Sequence, residues 1–301
     1  MSEPTTAGRQ AAPPPARRDR IPLGILLMIV TTILFTIMSV LSKWLTETYP
    51  IGEVLFIRAA VAFGAFALLV LPRRGLAVFR TQRLSHHGMR AVSQTISQAC
   101  ILIAFSLMPL ADVVAIAFSA PLFATLLAAL FLRERVGLAR WTALIVGFAG
   151  VLIVATPGTG VFQIGALFAL GNAVLYASVT VAVRGMTATE STETLIMYQL
   201  SFLTLAFTPL LLIGFVMPTW PAAAALAAAG LLNLLAQYCW TRALHMAPAS
   251  AVSPFYYLSL GWSMLAGLLV WGDVPTLALI GGSAVVVASG LFLLWRETGR
   301  I

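Results

Sequence analysis

Ten apolar stretches alternate with short polar breaks along the chain, at approximately 21–45, 51–72, 85–108, 110–132, 138–156, 162–184, 193–216, 222–246, 249–271 and 275–295. A helix of about 20 such residues crosses a hydrocarbon core. The breaks are turn residues or charges: Tyr49-Pro50, Pro72-Arg73-Arg74-Gly75, Pro109, Arg133-Glu134-Arg135, Pro157-Gly158, Thr187–Glu190, Pro218–Pro221, Pro248 and Gly272–Pro275. Pro109 and Pro248 leave almost no loop, which predicts tight hairpins there. The pattern predicts an all-α membrane protein with ten transmembrane helices. Residues 1–20 lack apolar periodicity and are expected to form a disordered cytoplasmic tail; 296–301 are expected to form a second cytoplasmic tail. The apolar stretch 21–45 follows Arg17, Arg18 and Arg20 but is too long for a signal-peptide core, so it is expected to stay as the first span.

Composition fits lipid as the main solvent. Sixty per cent of the 301 residues are apolar and 9% are Asp, Glu, Lys or Arg, against roughly a quarter in a soluble domain. The net charge of +8 gives no nucleic-acid face, because the basic residues lie in short loops between apolar runs. With the N-terminus cytoplasmic, only Lys43 and Arg58 of the 18 basic residues fall on the outer side. That bias predicts a plasma (inner) membrane protein with both termini cytoplasmic. Cys100 and Cys239 sit inside apolar runs and offer neither a disulfide framework nor a metal site.

The second half repeats the first. At a spacing of 141 residues, Gly24 matches Gly165, Phe35 Tyr176, Ser39 Thr180 and Lys43 Arg184. At 139, Gln98 matches Gln237, Cys100 Cys239 and Glu134 Asp273. Polar matches are improbable by chance in so apolar a chain. An odd number of spans per copy forces the second copy to enter from the opposite side, so the expectation is two inverted five-helix repeats, 21–156 and 162–295. Carriers of this architecture bind substrate near the midplane between repeats.

Several motifs carry a family resemblance. They are Ser106-Leu107-Met108-Pro109-Leu110-Ala111-Asp112, Ala120-Pro121-Leu122-Phe123, Leu130-Phe131-Leu132-Arg133-Glu134-Arg135 and Gly147-Phe148-Ala149-Gly150-Val151. The second copy echoes them in Ala243-Leu244-His245-Met246-Ala247-Pro248-Ala249-Ser250-Ala251 and Trp271-Gly272-Asp273. The chain resembles the drug/metabolite transporter superfamily, in its ten-span type with two EamA domains, over roughly 21–295. It departs at Arg133, where that family commonly has Gly. The resemblance implies a secondary carrier of small metabolites, most often an exporter of amino acids or related compounds. Uptake of a vitamin or nucleoside-like metabolite is the alternative.

Polar groups at membrane depth are costly unless paired or facing water, which makes them site candidates. Gln94, Ser97 and Gln98 share one side of the third span. Asn233 and Gln237 share a face of the eighth, and Asn172 and Tyr176 a face of the sixth. Amides offer both donors and an acceptor to a polar solute; they equally tie helices together. Trp240, Phe255, Tyr256, Tyr257 and Trp262 either line a pocket for an apolar group or pack and anchor at the interface. Pro121 and Pro254 are expected to kink their helices and could serve as moving parts. Lys43 and Arg58 join them as gating candidates. Arg58 is expected to pair with an outer acid (Glu47, Glu53, Asp112 or Asp273), with contact to a substrate carboxylate as the alternative. His86 and His87 read as a solvated loop pair. The rows Ala143, Gly147 and Ala284, Ala288 favour close helix contact, within the bundle or in a homodimer.

The reading includes no cofactor, catalytic residue or metal. An embedded enzyme would need His, Asp or Glu at depth, and a channel a filter or charge ring; neither is visible. Without a titratable group at a span centre, the expected carrier is a facilitator or exchanger rather than a proton-coupled pump.

Overall fold

In lipid a backbone must close its own hydrogen bonds, and helices do so within each segment. The computed structural model describes residues 20–131, 138–155, 160–186, 189–247 and 249–298. Among these residues it is all-helical, without strands. The helices of the first half are α1 (Ile21–Thr46), α2 (Ile51–Arg74), α3 (Leu84–Leu107), α4 (Leu110–Ala117), α5 (Ala120–Phe131) and α6 (Leu138–Ala155). Those of the second are α7 (Gly160–Met186), α8 (Thr192–Phe207), α9 (Trp220–Met246), α10 (Ala249–Tyr256), α11 (Leu258–Trp271) and α12 (Leu277–Thr298). Short 3₁₀ turns follow α2 (Gly75–Phe79) and α8 (Thr208–Leu212). The two tails, the Arg133–Arg135 and Pro157-Gly158 turns, and Pro248 fall outside the described residues.

Among the described residues, six segments are long and apolar enough to span a bilayer: Ile21–Thr46, Ile51–Phe79, Leu110–Leu127, Thr192–Leu212, Trp220–Met246 and Leu277–Trp295. Shorter apolar helices cover Trp141–Ala155 and Ile164–Thr180. The exterior is itself apolar, with Leu68, Ile145, Leu152, Leu167 and Leu269 all exposed, as a lipid-facing surface requires. Polar side chains inside α1 spend their hydroxyls on the preceding turn: Thr31 on Leu27 O, Thr36 on Thr32 O and Ser42 on Met38 O. Such back-bonding keeps a hydroxyl satisfied at depth.

Packing between the halves is reciprocal. α1 lies on α9 and α3 on α7, while α2 meets α8 and α6 meets α12. Exchanging the two repeats maps each of these contacts onto another or onto itself. The matched glycines Gly24 and Gly165 show why the crossings are tight. A Cβ on Gly24 would lie 2.8 Å from the Ala247 Cβ on α9's end, and one on Gly165 3.0 Å from Met108 Sδ at α3's end. Of the small-residue rows, Ala143 and Gly147 are buried while Ala284 and Ala288 face outward; α6 approaches α12 at Gly150, where a Cβ would come within 2.9 Å of the Gly282 carbonyl. There the Ser289 hydroxyl on α12 donates to the Ala143 carbonyl of α6.

The segments expected to kink are broken. The first breaks at Phe118-Ser119, between α4 and α5; the second at Tyr257, between α10 and α11. The breaks fall three residues before Pro121 and three after Pro254. Pro121 thus opens α5, where a missing N–H costs little, and Pro254 lies in the last turn of α10.

Candidate functional site

α3 is the hub of the polar interior. Arg90, Gln94, Ser97 and Gln98 follow i, i+4, i+7, i+8 spacing and so share one face. Arg90, Gln94 and Ser97 are all buried. Three of the four are tied to three different helices. Arg90 donates to the Leu195 carbonyl at 3.1 Å and to Gln199 Oε1 at 2.5 Å on α8. Ser97 meets α7, where Asn172 Nδ2 donates to its carbonyl at 3.0 Å and its hydroxyl at 2.8 Å. Gln98 Oε1 accepts from Arg58 Nη2 of α2 at 2.6 Å.

Arg58 does not meet the acid expected for it. It is 4% exposed, and its further partners are Ser42 Oγ at 3.1 Å and Met38 Sδ at 3.2 Å. Two of the expected acids bond elsewhere. Glu53 Oε2 accepts from Val216 N and Glu47 Oε1 from the Trp271 indole. Among the described residues a buried guanidinium thus faces only neutral acceptors, a costly arrangement in a low-dielectric interior. Arg90 is the second such cation. The sequence placed it with the cytoplasmic loop charges, but it is buried one and a half turns into α3.

Aromatic residues carry the chain of contacts inward. The Tyr176 side chain lies within electrostatic reach of Arg90 and of Tyr256. Phe118, at the α4–α5 break, packs edge-on to Tyr256 (centroids 5.6 Å apart) and tilted on Tyr257 (4.9 Å). The two helix breaks therefore touch through their side chains. Tyr257 packs its hydroxyl on Gly290 of α12, and that hydroxyl has no hydrogen-bond partner among the described residues. Gln94, Asn233 and Gln237 are buried as well. Asn233 Oδ1 is buried and lacks a hydrogen-bond partner among the described residues. Trp240 and Phe255 pack in the α1–α9–α10 cluster, while Trp262 faces outward.

Lys43 closes the C-terminal end of α3. Pro109 has no N–H to offer the Phe105 carbonyl, and Lys43 Nζ takes its place at 2.6 Å, with a second bond to Met108 O at 2.9 Å. The ammonium also stands 5.4 Å from the Trp271 ring centroid, with Asp273 and Glu47 within electrostatic reach. At the other end His87, expected in a solvated pair, is buried and stacked on Tyr198 with centroids 4.3 Å apart; His86 is exposed.

Sequence reasoning missed Arg90, Gln199 and Phe118. Signals for each were present: Arg90 extends the spacing of Gln94 and Gln98, Gln199 lies 141 residues after Arg58, and Phe118 lies 139 before Tyr257.

The sequence model of the EamA-like transporter family matches residues 22–156 and again 163–295. The chain belongs to the EamA-like transporter family. Its relatives include a riboflavin transporter of Rhizobium johnstonii, 34% identical and aligned over 94% of both chains. A pseudopaline exporter, CntI, of Pseudomonas aeruginosa is 31% identical over 93% of this chain and 99% of its own. An S-adenosylmethionine uptake transporter of Rickettsia bellii is 26% identical over 86% and 89%. A crystal structure 21% identical, covering 91% of this chain and 98% of its own, shares the fold with a TM-score of 0.64. The EamA-like chain is thus a multi-pass membrane transporter of small molecules.

Proposed function

We propose that this EamA-like protein is a secondary carrier with ten spans in two inverted repeats, both termini cytoplasmic, that exports amino acids or related metabolites carrying a carboxylate. The observation that carries this reading is Arg58. It is buried, held by three neutral acceptors, and bonded to Gln98, an amide that a substrate carboxylate can displace. A carboxylate accepts two parallel N–H bonds from a guanidinium and supplies the missing charge. Gln94, Gln98, Asn233 and Gln237 would recognise the remaining polar groups, and Tyr176, Tyr256 and Tyr257 the carbon skeleton. Asn172 is spent on Ser97 and acts by holding α7 to α3. The breaks beside Pro121 and Pro254, with Lys43 at the outer end of α3, would be the moving parts.

The test is purified protein in liposomes, with uptake of labelled amino acids and of labelled riboflavin compared for wild type and Arg58→Met. Carboxylate transport should fall at least about 30-fold in the variant, the worth of a lost charge-assisted bond of about 2 kcal/mol. Unchanged amino-acid transport by Arg58→Met would remove the reading. Uptake of a vitamin is favoured instead by the riboflavin transporter among the relatives and by the Phe118–Tyr256–Tyr257 ring cluster, which suits a flat ring. Riboflavin transport that survives Arg58→Met while amino acids are refused would establish it. An imposed pH gradient that drives accumulation would replace the facilitator or exchanger reading with proton coupling, and Asp112 would be the first group to neutralise.

A further inference from the structure

A cleft of about 300 Å³ opens between α2 and α9. Its walls are Phe66, Leu69 and Val70 on one side and Leu231, Leu234 and Leu235 on the other. Over the eight helical steps from Phe66 to Arg74 the trough runs about 12 Å along α2. Arg73, Arg74, Glu193 and Tyr238 close one end. Glu193 stands 3.6 Å from Arg74, which leaves the rim with one net positive charge. The cleft is thus an apolar trough with a cationic mouth.

The other repeat supplies a control built into the molecule. A second cleft, between α3 and α8, is lined by Val92, Thr95 and Ile96, the residues that match Leu231, Leu234 and Leu235 at the 139 spacing. Its lining is Gly88, Ala91, Phe202 and Ala206 besides, with no charge. At the 141 spacing, Arg73 and Arg74 correspond to Gly214 and Phe215. The trough is common to both repeats, whereas the paired arginines belong to one.

We propose that the α2–α9 cleft binds one anionic phospholipid of the cytoplasmic leaflet, an acyl chain in the trough and the phosphate on Arg73 and Arg74. Charge complementarity selects this occupant: basic groups at the mouth of a seam between membrane helices hold anionic headgroups, and the trough excludes a wholly polar ligand. The placement in the cytoplasmic leaflet rests on the proposed topology; the binding does not.

The experiment measures immobilisation of spin-labelled phosphatidylglycerol and phosphatidylcholine by the full-length protein in phosphatidylcholine vesicles, with no transport substrate present. The expected result is a several-fold preference for the anionic lipid. It should vanish in Arg73→Gln/Arg74→Gln, persist in Arg80→Gln/Arg83→Gln, which removes the same charge elsewhere, and weaken in Leu235→Trp, which fills the trough and keeps the arginines. No preference in the wild type would overturn the proposal. So would equal loss in the Arg80/Arg83 control, which marks plain surface attraction, or full binding by Leu235→Trp. Because no substrate is used, failure here leaves the transport reading standing, and failure of Arg58→Met leaves this one.

Discussion

Two helix crossings that the repeat makes equivalent are held by different physics. Where α9 crosses α2, small residues do the work. Gly230 lies so close to α2 that a Cβ there would come 2.8 Å from the Arg58 carbonyl. Where α3 crosses α8, the residues matching Ala229 and Gly230 are Arg90 and Ala91. Arg90 fills that crossing and bonds across it to Gln199 and Leu195. Gln199 is in turn the match of Arg58. Each crossing thus contains one guanidinium, donated from α2 in one and from α3 in the other. Backbone contact at the first crossing leaves the Arg58 side chain to reach Gln98; hydrogen bonding at the second immobilises Arg90. Duplication kept the geometry of the crossings, and divergence decided which of them is bridged by its own cation.

The largest effect should come from breaking the hydrogen-bonded crossing. Gln199→Leu strips a buried guanidinium of one charge-assisted bond, worth about 1.5–3 kcal/mol, and should lower the thermal midpoint in detergent accordingly. Adding Arg90→Met removes the orphaned charge and should recover most of that loss, since a buried polar set replaced whole by apolar groups is close to neutral. A double variant no more stable than Gln199→Leu would mean that Arg90 has acceptors beyond these two.

The packed crossing should respond to volume. Gly230→Ala pushes a methyl onto the Arg58 carbonyl, and overpacking of this kind costs about 1–3 kcal/mol. It should also depress transport by shifting Arg58. A variant with wild-type stability would show that α9 can slide on α2, and the contrast between the crossings would weaken.

Lys43→Met tests a bond found in the first repeat. Removing the ammonium leaves the Phe105 and Met108 carbonyls open at the end of α3, for a loss of about 1 kcal/mol. A substitution without effect on the melting midpoint would leave the Lys43 bonds with no stabilising role.

The smallest change is expected at Tyr257. Its hydroxyl is buried without a described partner, so Tyr257→Phe should be neutral or slightly stabilising. Transport lost with stability intact would show that the hydroxyl meets the substrate.

Much of the architecture was legible in the apolar rhythm, because lipid leaves a chain few choices: a run of about 20 apolar residues must become a helix. The duplication was legible too, in matched polar residues such as Gln98 and Gln237. The breaks at Phe118 and Tyr257 were displaced from the prolines that announced them. Proline reports where a hydrogen bond is missing, and neighbouring helices decide where the chain bends.

Sequence alone therefore determined the helical membrane class, the repeat and the polar face of the third span, since these follow from local periodicity and from the cost of burying polar groups. Tertiary structure decided the partners. Arg58 was expected to pair with an acid but bonds an amide on α3; Arg90 stood among loop charges but bonds α8; Lys43 reaches carbonyls 62 and 65 residues away. The reason is physical: a long cationic side chain can satisfy its charge on any acceptor within reach, and which acceptors come within reach is fixed by how helices distant in the chain cross.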